Sequence, residues 1–170
     1  MLLPPDLTQL LAAFAAEGVR YLIIGGHAVS VHGRPRSTKD VDLWLASDAD
    51  NRARACRALA RFGVPAPIID GFARSAPDEI TWFGRAPCRV DLLQAIPGVE
   101  FDDAWQRRVV LDHEGHSVTV IGFDDLVANK RAVDRAVDRR DVAALLRLRD
   151  RAERSARAEP SPPKRKARRP

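Results

Sequence analysis

Apolar residues recur along this chain in two rhythms, and each change of rhythm marks an element. Leu7, Leu10, Leu11 and Phe14 stand three or four positions apart. That spacing predicts a helix over about residues 6–16, with Asp6 as its N-cap and Gly18 as its stop. Val19 to Ile24 is a short run of β-branched, aromatic and aliphatic residues, the mark of a central strand. Gly25 and Gly26 then turn the chain sharply into a helix from His27 to about His32. Lacking Cβ atoms, they let backbone amides approach a ligand, and the positive end of that helix points at the same turn.

Period two returns at Asp40–Leu45, where Asp40, Asp42 and Trp44 share one face of a strand and Val41, Leu43 and Leu45 the other. The reading is that one face works while the other packs. A helix from Ala49 to Phe62 follows, with apolar positions at 53, 56, 59, 60 and 62 and an exposed side carrying Arg52, Arg54, Arg57 and Arg61. Glu79–Phe83 and Arg89–Leu93 predict a hairpin closed by Gly84-Arg85-Ala86-Pro87. Val109–Leu111 and Val118–Ile121 predict another around residues 112–117. Two last helices, about Asp124–Arg135 and Arg139–Arg154, would pack on the sheet through Leu126, Val127, Val133, Val142, Leu145, Leu146 and Leu148. Trp44, Trp82 and Trp105 read as core, with Trp82 the one placed to line a pocket.

The 170 residues are one domain's worth, and 45% hydrophobic against 30% charged residues fits an ordinary soluble protein. The net charge of +5 is misleading as a whole. Residues 151–170 hold 8 Lys or Arg and 2 Asp or Glu, a balance of +6, which leaves 20 basic and 21 acidic residues, or −1, elsewhere. The reading is a folded domain over 1–155 and a disordered, basic, Pro-rich tail over 156–170, able to add salt-dependent affinity for RNA. Cys56 and Cys88 have no metal-type or disulfide-framework spacing. No membrane-length apolar run and no signal-peptide pattern occur, so the expected location is cytoplasmic.

The chemistry concentrates in acidic residues. Carboxylates at i and i+2 on a strand share a face, roughly 6.6 Å apart at about 3.3 Å per residue. With a third carboxylate from a neighbouring strand, Asp91 in Cys88-Arg89-Val90-Asp91-Leu92-Leu93, such a pair suits divalent metal and phosphoryl or nucleotidyl transfer. Plainer roles exist for each: Asp40 capping a turn, Asp42 and Asp91 pairing with nearby Arg, Lys130 bridging to Asp134 at i+4. His113 and His116 lack the further ligands that zinc needs.

Gly25-Gly26, then Arg36-Ser37-Thr38-Lys39-Asp40-Val41-Asp42-Leu43, then an isolated strand Asp resembles the signature of the nucleotidyltransferase superfamily that includes DNA polymerase beta. Ile121–Arg131 followed by Arg139-Arg140-Asp141-Val142 resembles the Lys-bearing helix and downstream Asp of its small prokaryotic AbiEii and MenT toxin type. The resemblance covers about residues 5–150. It implies an α/β (α+β) fold, a small mixed sheet flanked by helices with the C-terminal helices packed on it. It implies Asp40, Asp42 and Asp91 as catalytic residues and ligands of two Mg²⁺ ions, Asp91 as ligand or as proton acceptor. An NTP co-substrate would lie on Gly25, Gly26, Arg36, Thr38 and Lys130, with Asp141 orienting Lys130. The implied acceptor is a tRNA or protein, with a cognate antitoxin as partner. A small-molecule antibiotic acceptor and a non-catalytic partner-binding protein on the same scaffold are the alternatives.

Overall fold

A computed structural model describes residues 5–35, 37–86 and 88–158, with the side chains of residues 5, 6 and 158 excepted. The elements run α1 (Pro5–Glu17), β1 (Tyr21–Ile23), α2 (Gly25–Val31), β2 (Asp40–Leu45), α3 (Ala49–Phe62), α4 (Ala66–Arg74), β3 (Thr81–Phe83) and β4 (Arg89–Leu93). There follow α5 (Phe101–Gln106), β5 (Val109–His113), β6 (His116–Val120), α6 (Phe123–Val133) and α7 (Ala136–Ala158). α1 already includes Pro5, so Asp6 is a residue of its first turn and not its N-cap. α7 runs through Ala158 and takes in residues 156–158, which were expected in the tail, and the tail beyond residue 158 lies outside what is described. No described helix is long and apolar enough to cross a membrane.

The six strands form one mixed sheet in the order β3-β4-β2-β1-β6-β5. β2 pairs parallel with β4 and β1 parallel with β6, while the other neighbours are antiparallel. This is the mixed, helix-flanked sheet that the sequence implied. Val41, Leu43, Val90 and Leu92 are buried on one face, where Leu7, Leu10, Leu11 and Phe14 of α1 and Ala55, Ala58 and Leu59 of α3 belong to the same core. On the other face Trp44 is also buried, edge-on to Phe101 at 5.0 Å. That face is therefore open only at its Asp40–Asp42 end, and the notion of one working and one packing face holds for half the strand.

Other expectations need correcting. The buried stripe of α3 is Asn51, Ala55, Ala58 and Leu59, while Ala53 and Ala60 are exposed. Asn51 sets this rotation: its side chain accepts from the Arg20 amide at 2.7 Å and donates to the carbonyls of Arg20 and Ala46, both at 3.0 Å. Arg57 and Arg61 both pair with Glu17 of α1, so this basic side serves the α1–α3 contact. Leu148 is exposed, and so is Trp82, at 56%. α4 and α5, nine and six residues long, were not expected from the sequence. The β5–β6 loop is tighter than expected: Glu114 and Gly115, at φ 54° and 80°, form a two-residue turn of the type whose twist suits a hairpin.

Candidate active site

Parallel register builds the site. Asp42 lies opposite Asp91, and Asp40 lies opposite Arg89, on strands about 4.8 Å apart. Residues in register project to the same side, so three carboxylates and one guanidinium occupy the corners of a single patch. Trp82 of β3 is opposite Asp91 in turn and extends the patch to the sheet edge.

Gly25 fixes the height of Asp42. It sits at φ +61°, and a Cβ there would fall 1.9 Å from the Asp42 Oδ2 atom. The Ile24 amide donates to the Asp42 carbonyl at 3.0 Å, so the turn and the strand are clamped together at the carboxylate. Gly26 is buried in α2, a helix of only seven residues, and the Ser30 hydroxyl donates to its carbonyl at 3.2 Å. Thr38 donates its hydroxyl to the Asp40 carbonyl at 3.0 Å, holding the approach to β2. Arg36 lies outside the described residues, and Lys39 is exposed.

Burial pushes the Asp42 carboxyl up to about 6, and the negative charges of Asp91 and Asp40 add to it, against a partial offset from Arg135 and Lys130. Asp91 is buried and takes a bidentate grip from Arg89, Nε to Oδ1 at 2.7 Å and Nη2 to Oδ2 at 3.1 Å. The same guanidinium lies 5.0 Å from the Trp82 ring centroid. Pairing of Asp91 with an Arg is thus real in this structure, while Asp40 and Asp42 remain without such a partner among the described residues.

Lys130 is 4% exposed, far from the surface position an i+4 bridge would need. Its Nζ lies 2.9 Å from both Asp138 Oδ1 and Asp141 Oδ2. Asp138 also takes Arg135, Nε to Oδ2 at 2.7 Å, and Asp141 takes Arg34 at 2.5 Å. Burial alone would raise Asp138, but hydrogen bonds from Arg135 and Lys130 outweigh it and hold the carboxyl below its usual value. Asp134 is turned away: it closes α6 at φ 53° and pairs with Arg139. From this network Arg135 and Lys130 act on Asp42 with positive charge. Sequence reasoning named Lys130 and Asp141 but missed Asp138, Arg135 and Arg34. The i,i+3 spacing of Asp138 and Asp141 on one helix was the available signal.

The donor set can be tested for a divalent cation. Asp40, Asp42 and Asp91 offer hard oxygen ligands of the kind Mg²⁺ prefers, and the Asp42 carboxyl is raised by burial first and by the charges of Asp91 and Asp40 second. Among the described residues no three His, Cys, Asp or Glu side chains stand as a ready-made metal cluster. Arg89 holds both oxygens of Asp91, and the residues fit a cation once that grip is exchanged.

No protein-family model matches the chain. Among solved structures it is similar to the lincosamide antibiotic adenylyltransferase LnuA, solved with lincomycin bound. That match has a TM-score of 0.53 and 14% identity over 85% of this chain and 96% of that one. A proposed nucleotidyltransferase from Thermotoga maritima matches with a TM-score of 0.52 and 14% identity, over 87% of this chain and 91% of its own. The fold is that of the nucleotidyltransferases. At such identity the likeness speaks for architecture, and any activity has to be argued from the side chains.

Proposed function

We propose that the protein is a Mg²⁺-dependent nucleotidyltransferase that moves a nucleoside monophosphate from an NTP onto a hydroxyl of a macromolecular acceptor. The observation that carries this is the convergence of Asp40, Asp42 and Asp91 on one patch of the sheet, with Gly25 packed on the Asp42 carboxylate. In the reaction an acceptor oxygen bonds to the α-phosphorus, the bond to the bridging oxygen breaks, and pyrophosphate leaves with its electron pair. Two Mg²⁺ ions, when bound, would lower the pKa of the attacking hydroxyl and neutralise the leaving phosphates.

The chain's own residues have distinct parts. Asp40 and Asp42 would hold both ions, and Asp91, one strand over, would serve beside the attacking hydroxyl as ligand or as proton acceptor. Gly25 and Gly26 offer backbone amides to the triphosphate, with Arg36 and Thr38 on the approach to β2. Lys130 is committed to Asp138 and Asp141, so its contribution to nucleotide binding is the directed positive charge of that network.

The sequence resemblance favours a tRNA or protein acceptor and a toxin role with a cognate antitoxin. A small hydroxylated antibiotic is the second reading, suggested by the fold shared with the lincosamide enzyme. Incubation with labelled NTPs and Mg²⁺, with tRNA, protein or antibiotic as acceptor, tests both. Label should enter one acceptor and should vanish in Asp42→Asn. Transfer that survives replacement of both Asp40 and Asp42 by Ala would remove the proposed roles.

A further inference from the structure

On the opposite side of the sheet from the carboxylates lies a cavity of about 260 Å³ that the transfer reaction does not use. Leu10 of α1, Phe62 at the end of α3, Val41 and Val90 of the sheet and Phe83 of β3 form its apolar walls. Protein interiors pack densely and hold few voids larger than a water molecule. An apolar cavity of about 150 Å³ already accepts benzene, so this one has room for a larger hydrocarbon body.

Its rim is of a different kind. Arg85 and Cys88, from the turn between β3 and β4, complete the lining. Arg85 is exposed and makes no ion pair with another described residue. Cys88 is a free, half-buried thiol whose amide donates to the Arg85 carbonyl at 2.7 Å, which ties the two rim residues together. An unpaired guanidinium at the mouth of an apolar hollow complements a molecule with a hydrocarbon body and a planar anionic end, since its fork matches a carboxylate in two hydrogen bonds.

We propose that this cavity is a binding site for a small amphiphilic carboxylate, an alkyl or aryl acid with its body against Val41, Val90, Phe62 and Phe83 and its head on Arg85. The site needs neither metal nor nucleotide and stands apart from the transfer reaction. Its floor nevertheless belongs to the same strands, for Val41 lies between Asp40 and Asp42 and Val90 directly precedes Asp91.

Octanoate titrated into the full chain tests this, with octanol as the uncharged counterpart. Calorimetry and melting temperature read binding, and a Cys56→Ser background reads the rate at which iodoacetamide alkylates Cys88. Saturable one-to-one binding should raise the melting temperature by mass action and slow Cys88 alkylation several-fold. Arg85→Ala, or octanol in place of octanoate, should weaken binding several-fold, the usual worth of a solvent-exposed ion pair. Leu10→Phe, which fills the cavity, should abolish it. If Leu10→Phe fails to fold, the alkylation readout in the native-walled protein decides alone. Absence of saturable binding at millimolar octanoate overturns the proposal, as does binding that leaves Cys88 alkylation unchanged. Equal affinity for octanol and octanoate refutes the anionic head.

Discussion

Asp42→Asn should make the metal-free protein more stable. In the folded chain burial and the charges of Asp91 and Asp40 lift the Asp42 carboxyl from 3.8 to about 6. Between those two values the folded state binds more protons than the unfolded one, so stability falls as pH rises through this window and stays low above it. The difference of about two units corresponds to about 3 kcal/mol at neutral pH, and an Asn of the same shape does not incur it. For a domain of this size each kcal/mol moves the melting temperature by roughly 2–4 °C, so the variant should melt about 6–12 °C above the parent at about pH 7.5 in chelator. The gap should nearly close at about pH 4, where the parent carboxyl is protonated in the folded state. Excess Mg²⁺ and NTP should reverse the order, since the carboxylate then gains a partner that the amide cannot bind equally. Circular dichroism melts across pH supply the measurement. Equal melting at neutral pH in chelator, or a gap indifferent to pH, would refute the electrostatic account of this patch.

Three further outcomes follow from neighbouring contacts. Arg89→Ala removes the competitor for the Asp91 oxygens and should tighten Mn²⁺ binding several-fold by paramagnetic titration; weaker binding would show that Arg89 supports the site. Lys130→Met removes the buried ammonium that bridges Asp138 and Asp141, each 1% exposed, and should cost about 3 kcal/mol in urea unfolding. An unchanged midpoint would contradict the network. Gly25→Ala demands a Cβ 1.9 Å from Asp42 Oδ2 at a positive φ, so it should abolish the Mg²⁺-dependent rise in melting temperature while the far-ultraviolet spectrum keeps its native shape; a full rise would show that Asp42 can move freely.

The acidic strand was legible because period two admits few alternatives: β2 and β4 begin and end where alternation places them, whereas their parallel pairing and its register are set by the chain's path between them and not by the alternation. The short helices were not. α4 has Pro67 in its first turn and Gly71 within nine residues, and α5 is too short for any period to establish itself. Burial escaped the sequence most often. Trp82 and Lys130 exchange the environments their types suggest, one exposed and the other enclosed, because an edge strand leaves one side of Trp82 uncovered and two carboxylates from α7 make an interior position tolerable for an ammonium. The exclusive engagement of Asp91 by Arg89 was in principle visible, since i and i+2 on a strand share a face, yet that rule serves cation binding and ion pairing equally.

Helix α7 begins inside the charge network at Asp138 and Asp141 and then leaves the body of the protein. From Arg147 to Arg157 every residue is exposed, with the Arg149 bridge to Asp124 at 2.7 Å as a late brace. At about 1.5 Å per residue its last turn stands about 25 Å from Asp141. Arg151, Arg154 and Arg157 thereby stand on the far part of a stiff mast. Whatever these side chains attract is met at a distance from the carboxylates, which suits them to long polyanions and makes them a poor contact for anything the size of a nucleotide.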